Sequence, residues 1–189
     1  MTFDLTGKLL ISTPAMGDRR FAHAIIYLCA HSDEGAFGLV LNRPVPRLTL
    51  PMVLDQVGIA VDAPMPPGRR VLSGGPVEPQ RGFVLHTDGG GDPSDAGQAL
   101  PDGLVLSAST DILRAIANGT GPRQFLLALG YAGWGPGQLE GEIAQNAWLT
   151  CASSRALVFD ADPGEHQWQD ALKSMGIDPV SLSSVAGRA

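Results

Sequence analysis

Ser73 lies in the stretch LSGGPV, directly before Gly74, Gly75 and Pro76. A serine at a tight turn with clustered backbone amides is a candidate anion site, or a nucleophile if a base stands beside it. His31 and His86 are the histidines that could supply that base. The chain has no G-x-S-x-G elbow, and sequence spacing alone places no histidine next to Ser73. The favoured reading is a turn that follows a strand. His31, Asp33 and Glu34 share one short segment, and His86 stands two residues before Asp88. Neither has the spacing of H-E-x-x-H or of a Cys/His quartet, so no metal site is assigned. His23 and His166 fall in no pattern.

Two carboxylate pairs, Asp160 with Asp162 and Glu140 with Glu142, invite comparison with acid–base catalysis. Each has a structural use instead. Asp162 is placed to cap a helix, and the glutamates lie near a helix start, where the macrodipole favours negative charge. The stretch LGYAGWGPGQLEGEI (129–143) resembles a phosphate loop, but GWGPG lacks the G-x-G-x-x-G spacing, and Glu140 and Glu142 would repel a phosphate. No P-loop occurs. No catalytic residue and no cofactor are therefore expected. The expected ligand site lies where glycine-rich turns meet polar strand ends, at Asn42, Arg43, Gly74, Gly75, Pro76, Tyr131, Trp134 and Gln138.

These residues must be held by strands and helices. Apolar, β-branched runs predict strands at 9–12, 24–30, 37–42, 70–74, 82–87, 103–108, 124–130, 147–152 and 156–160. The run at 24–30 is apolar on nearly every residue, as in a strand covered on both faces. HSDEG predicts a hairpin with Gly35 in its turn. Helices are expected in DPGEHQWQDALKSMG, STDILRAIANG, TLPMVLDQVG and after GWGPG. The first has Asp162 as cap, Pro163 opening the helix, Trp168, Ala171, Leu172 and Met175 on one face, and Gly176 at its end. In the last, Gly135 caps, Pro136 opens the helix after a strand ending near Gly130, Gln138 reaches back to the cap amide, and Trp134 staples Leu139. The segments 63–70 and 87–103 read as loops, the second as mobile, and the tail 181–189 is expected to fray. These elements predict an α/β (mixed α+β) single domain spanning 1–189, with its core at about 7–176, and a mixed, partly antiparallel sheet flanked by about four helices.

Composition narrows the partners. The chain has 189 residues, 44% of them hydrophobic, with 13 basic and 19 acidic residues and a formal charge of −6. Its basic doublets, Arg19-Arg20 and Arg69-Arg70, make no nucleic-acid stripe, so direct DNA binding is disfavoured. No apolar run approaches the ~20 residues of a membrane span, and the opening MTFDLTGKLL does not read as a signal peptide. A cytoplasmic protein without membrane contact is expected. Cys29 and Cys151 sit in apolar runs and read as buried free thiols.

GKLLISTPAM, EGAFGLVLNRP, GGPVEPQRGFVLH and LGYAGWGPGQLEGEI followed by WL, in this order, resemble the AlgH/YqgE family of bacterial proteins from about Gly7 to Gly176. Phe37 stands where such members are expected to carry methionine. The resemblance implies a mixed sheet with flanking helices and no assigned catalytic residues or cofactor. One branch carries a name that suggests transcriptional regulation of exopolysaccharide synthesis. With no helix-turn-helix and no basic face in this chain, the implied role is a non-enzymatic binding or regulatory module acting through a protein or small-molecule partner. The alternatives are a hydrolase or transferase using Ser73, His31 or His86 near the GGP turn, and a direct DNA-binding regulator.

Overall fold

The sheet begins with β1 (Lys8–Ser12), β2 (Ile25–Ser32) and β3 (Gly35–Val40), neighbours in antiparallel order. Leu9 pairs with Tyr27 and Tyr27 with Leu39, while Leu10 pairs with Ile26 and Ile26 with Val40. Alternate residues point to opposite faces, and both faces are buried, which explains the nearly continuous apolar text of β2. The computed structural model describes residues 4–65, 70–87, 97–160 and 162–185.

Further strands are β4 (Pro44–Thr49), β5 (Arg70–Ser73), β6 (Val77–Thr87), β7 (Gln98–Leu100), β8 (Leu104–Ser107), β9 (Phe125–Trp134) and β10 (Trp148–Ala152). They form one ten-stranded sheet ordered β10-β1-β2-β3-β9-β6-β8-β7, with β5 against β9 and β4 against β5. The β5–β9 pair is parallel and every other pair is antiparallel. The helices are α1 (Leu50–Gln56), α2 (Thr110–Ala117), α3 (Gln138–Ala144), α4 (Arg155–Val158), α5 (Glu165–Ser174) and α6 (Pro179–Val185), with 3-10 turns η1 (Arg19–Phe21) and η2 (Pro101–Gly103).

The sheet curls. Gln98 Nε2 donates to the Cys29 carbonyl at 3.1 Å, and Ser153 Oγ donates to Asp102 at 3.2 Å, so residues from opposite ends of the strand order meet. Inside the curl, Leu9, Tyr27, Leu39, Leu85 and Leu106 pack with Trp168, Ala171 and Leu172 of α5. Outside one wing, Leu10, Ile26 and Val40 pack with Trp134, Leu139 and Trp148. Outside the other, α1 and α2 cover Val71, Val84 and Leu127.

The mixed architecture and eight of the nine expected strands are present. The exception is 156–160. There Ser154 Oγ accepts from Leu157 N at 3.2 Å, and this capping bond closes the helical turn α4 where the apolar text suggested a strand. The strands at 44–49 and 98–100 lie in polar or proline-bearing text that pattern reading passes over. The four expected helices become six with α4 and α6, and α6 takes in residues 181–185 of the tail expected to fray. Residues 66–69 of the expected loop 63–70, 88–96 of the loop expected to be mobile, and 186–189 of the tail lie outside the described residues.

Two helix starts move. α5 opens after Gly164 rather than Asp162, because Gln167 Oε1 takes the Gly164 amide at 3.2 Å while its Nε2 holds the Leu157 carbonyl at 2.9 Å. α3 opens after Gly137, whose φ of 70° is left-handed, rather than after Gly135. The strand before it does not stop near Gly130. Pairing of Ala132–Trp134 with Ala36–Gly38 draws β9 on to Trp134. The bond from Gly135 N to Gln138 Oε1, at 3.1 Å, forms as expected.

Among the described residues, no helix is long and apolar enough to cross a membrane, and no three His, Cys, Asp or Glu side chains gather to hold a metal ion. Cys29 and Cys151 are free thiols. β1 separates their strands, and Leu9 pairs with Cys151 on one side and with Tyr27, not Cys29, on the other. The two cysteines are therefore more than two strand spacings apart, over ~9 Å and beyond the usual Cα reach of a disulfide of ~7 Å. Burial pushes both thiols up from their usual pKa.

Tyr27 is fully buried, and its hydroxyl has no hydrogen-bond partner among the described residues. An unpaired buried hydroxyl costs about 1–3 kcal/mol. Tyr27→Phe should therefore raise stability by about 1 kcal/mol in urea denaturation. A loss of similar size would show that the hydroxyl is satisfied by a buried water.

Candidate functional site

Asn42 and Arg43 follow β3 and hold down the segment that precedes β2. Asn42 Oδ1 accepts from Ile25 N at 3.0 Å, and its Nδ2 donates to the His23 carbonyl at 2.8 Å and the Gly164 carbonyl at 3.3 Å. Arg43 Nη2 donates to the Ala22 carbonyl at 2.6 Å. These bonds fix η1 beside the end of β3. Within η1, Asp18 accepts from Arg20 N at 2.9 Å and also grips the Arg20 guanidinium, with Nη2 to Oδ2 at 2.7 Å. That guanidinium holds the Asp18 carboxyl below the usual carboxylate range. Both groups are substantially exposed, so solvent screens the pair and Arg20 is readily redirected.

The Gly74–Pro76 turn is stitched in from three sides. Ser73 N donates to the Arg43 carbonyl at 2.7 Å, Gly74 N to the Leu129 carbonyl at 2.8 Å, and Val40 N to the Gly74 carbonyl at 2.8 Å. Gly74 and Gly75 lie directly on the backbone of β9 at Gly130–Ala132, where a Cβ on either would collide with main-chain atoms. These glycines serve close backbone packing first.

Two adjoining clefts result. One, of about 270 Å³, has Arg20, Phe21, Arg43, Ser73, Gly75 and Pro76 on its walls. The other, of about 230 Å³, shares Arg20, Phe21 and Pro76 and continues to Trp134, Gln138 and Glu142. Glu142 organises its inner wall. Its Oε2 accepts from Trp134 Nε1 at 3.0 Å and Trp148 Nε1 at 2.7 Å, while Oε1 accepts from Gln138 Nε2 at 3.0 Å. The indoles pack edge to face with centroids 6.1 Å apart, and Phe21 meets Trp148 the same way at 5.7 Å.

Of the eight residues expected at a ligand site, Arg43, Gly75, Pro76, Trp134 and Gln138 line these clefts. Asn42 is buried in its three bonds, Gly74 is buried against β9, and Tyr131 packs with Phe37 and Phe83 on the opposite side of β9 from Trp134. Arg20, Phe21 and Glu142 were missed. Arg20 belongs to a doublet legible only as surface charge, and the double indole contact of Glu142 needs two strands and a helix in place.

The candidate nucleophile and bases do not converge. The His31 side chain is almost wholly buried. Its Nδ1 accepts from Leu5 N at 3.2 Å, so Nε2 carries the proton that meets Glu140 Oε1 at 2.8 Å. Glu140 is held below its usual pKa by its own backbone amide first and by His31 second. His86 is buried and faces Ser107 rather than Ser73. Nδ1–H donates to the Thr87 carbonyl and Nε2 accepts from Ser107 Oγ, each at 3.0 Å. Gly97 lies over that hydroxyl, where a Cβ would come within 2.7 Å of Ser107 Oγ.

Residues 9–180 match the family model described as AlgH-like. A UPF0301 protein of Beijerinckia indica is 50% identical, with 98% of this chain and 92% of that protein covered. A UPF0301 protein of Bradyrhizobium diazoefficiens is 48% identical, with 98% and 88% covered. The solution structure of the AlgH protein from Pseudomonas aeruginosa matches with a TM-score of 0.75 at 42% identity, covering 100% of this chain and 96% of that one. A crystal structure of a Corynebacterium diphtheriae protein matches with a TM-score of 0.72 at 25% identity, covering 90% and 86%. The chain, matched along nearly its full length in sequence and in fold, belongs to the AlgH-like family.

Proposed function

We propose that the protein is a non-enzymatic binding module, a regulator that works through a protein or small-molecule partner in the cytoplasm. The observation that carries this reading is the pair of adjoining clefts, where arginines, an aromatic edge and a glycine turn meet on a wall rigidified by Glu142. Such a surface, part apolar with a few fixed polar groups, suits recognition. The acidic net charge of −6 supports a partner other than nucleic acid.

A metabolite library read by thermal shift, with positives mapped by amide NMR, tests the reading. At least one compound should raise Tm, as binding to the native state requires, with shifts centred on Phe21, Gly75 and Gln138. No stabilising metabolite, together with no stoichiometric partner in a pull-down from a bacterial lysate, would count against it.

A further inference from the structure

We propose that the cleft between η1 and the Gly74–Pro76 turn receives the anionic head of a small organic molecule, a carboxylate or a phosphate, whose apolar body runs across Phe21 toward Trp134. This rests on the binding-module reading and names its ligand class. The chain as a whole carries a charge of −6, yet this cleft has two arginines on its wall and no carboxylate. Arg43 is half-buried, and its bond to the Ala22 carbonyl fixes one corner of the guanidinium. That planar fork has five N–H donors, and among the described residues the Ala22 carbonyl is the acceptor it meets. Carboxylate and phosphate match such a fork two bonds at a time.

Arg20 is the second cation. It leans on Asp18 through an exposed pair that a ligand anion can replace. Ser73 and Gly75 add a hydroxyl and a backbone amide with no protein partner among the described residues. The floor is apolar, with Val40 and Phe21, and the shared Phe21–Pro76 wall leads into the second cleft beside Trp134. At about 270 Å³, the first cleft has room for a head and a small ring. The second cleft mixes Phe21, Pro76 and Trp134 with Asp18, Gln138 and Glu142, and its two carboxylates are engaged, Asp18 by Arg20 and Glu142 by the two indoles and Gln138. An anion site at one end and this partly apolar wall beyond it select an amphipathic molecule over a bare ion.

Amide NMR titrations with phenyl phosphate, phenylacetate and benzyl alcohol test the proposal on the full chain. The two anions should shift the amides of residues 20–22 and 73–77 and bind more tightly than benzyl alcohol. Arg43→Gln should weaken the anions about tenfold or more, the usual result of losing a charge-assisted bond, and leave benzyl alcohol unchanged. Arg43 also holds Ala22, so Arg20→Gln, at an exposed position, provides a second variant that leaves the fold intact; it should weaken the anions by a smaller factor. Benzyl alcohol binding as tightly as the anions at these amides would overturn the anion assignment while leaving the binding module standing. Anion binding unchanged in both variants, or no shift at these amides with any probe, would overturn the site. Failure of the metabolite screen and the pull-down together would instead remove the parent reading.

Discussion

Gly75→Ala should cost about 4 kcal/mol of stability, most of the margin of a typical domain. At φ 153° the residue occupies backbone space that L side chains rarely adopt, and a Cβ there would collide with the Tyr131 carbonyl and the Ala132 nitrogen. Both obstacles are main chain of β9 and cannot rotate away. Overpacking costs about 1–3 kcal/mol and backbone strain a similar amount. Together they reach about 4 kcal/mol, against a typical total stability of ~5–15 kcal/mol. Gly141→Ala is the contrast. It lies inside α3 with nothing within 4 Å of its added Cβ, so it should gain up to about 1 kcal/mol through helix propensity. Urea denaturation of the two variants distinguishes them. A loss under 1 kcal/mol for Gly75→Ala would show that the turn does not lie on β9 as described.

Glu142→Ala should cost about 3 kcal/mol, because it removes one acceptor oxygen from two largely buried indoles at once. Trp148 is 1% exposed and Trp134 is 7% exposed. A hydrogen bond to a charged group contributes ~1.5–3 kcal/mol, and the orphaned N–H groups would keep their desolvation cost. Glu142→Gln retains an acceptor and should lose only about 1 kcal/mol. The two indole N–H signals in the NMR spectrum report directly, and both should move in the alanine variant. Unmoved signals with a loss under 0.5 kcal/mol would dismiss Glu142 as the organiser of that wall.

Legibility followed the range of the interaction. The apolar text of β2, the β2–β3 hairpin and the buried face of α5 are local patterns, and they appear where periodicity puts them. Element ends are less local. β9 was expected to stop near Gly130, whose φ of 74° indeed bends the chain, but pairing with β3 carries it on to Trp134. The text at 156–160 reads as a strand, yet one serine bond turns its first residues into a helix. The site was half legible for the same reason. Arg43, Gly75 and Pro76 stand out as turn chemistry, whereas Arg20 and Glu142 become interesting only when η1 and α3 reach the same cleft. The glycines of LGYAGWGPG and LSGGPV explain each other, since one run's backbone fills the space the other leaves.

β9 pairs with β3 at its far end, with β5 on that same flank, and with β6 on the other. The strand order joins β3 to β6 only through it. During synthesis, everything up to α2 therefore emerges before the piece that unites it. Until residues 125–134 leave the ribosome, the edges of β3 and β6 that face β9 have no mate, and both strands carry apolar text prone to wrong pairing. Closing such distant partners makes assembly slow by topology alone, and the late arrival of β9 is the step at which a helper chaperone would have the most to protect.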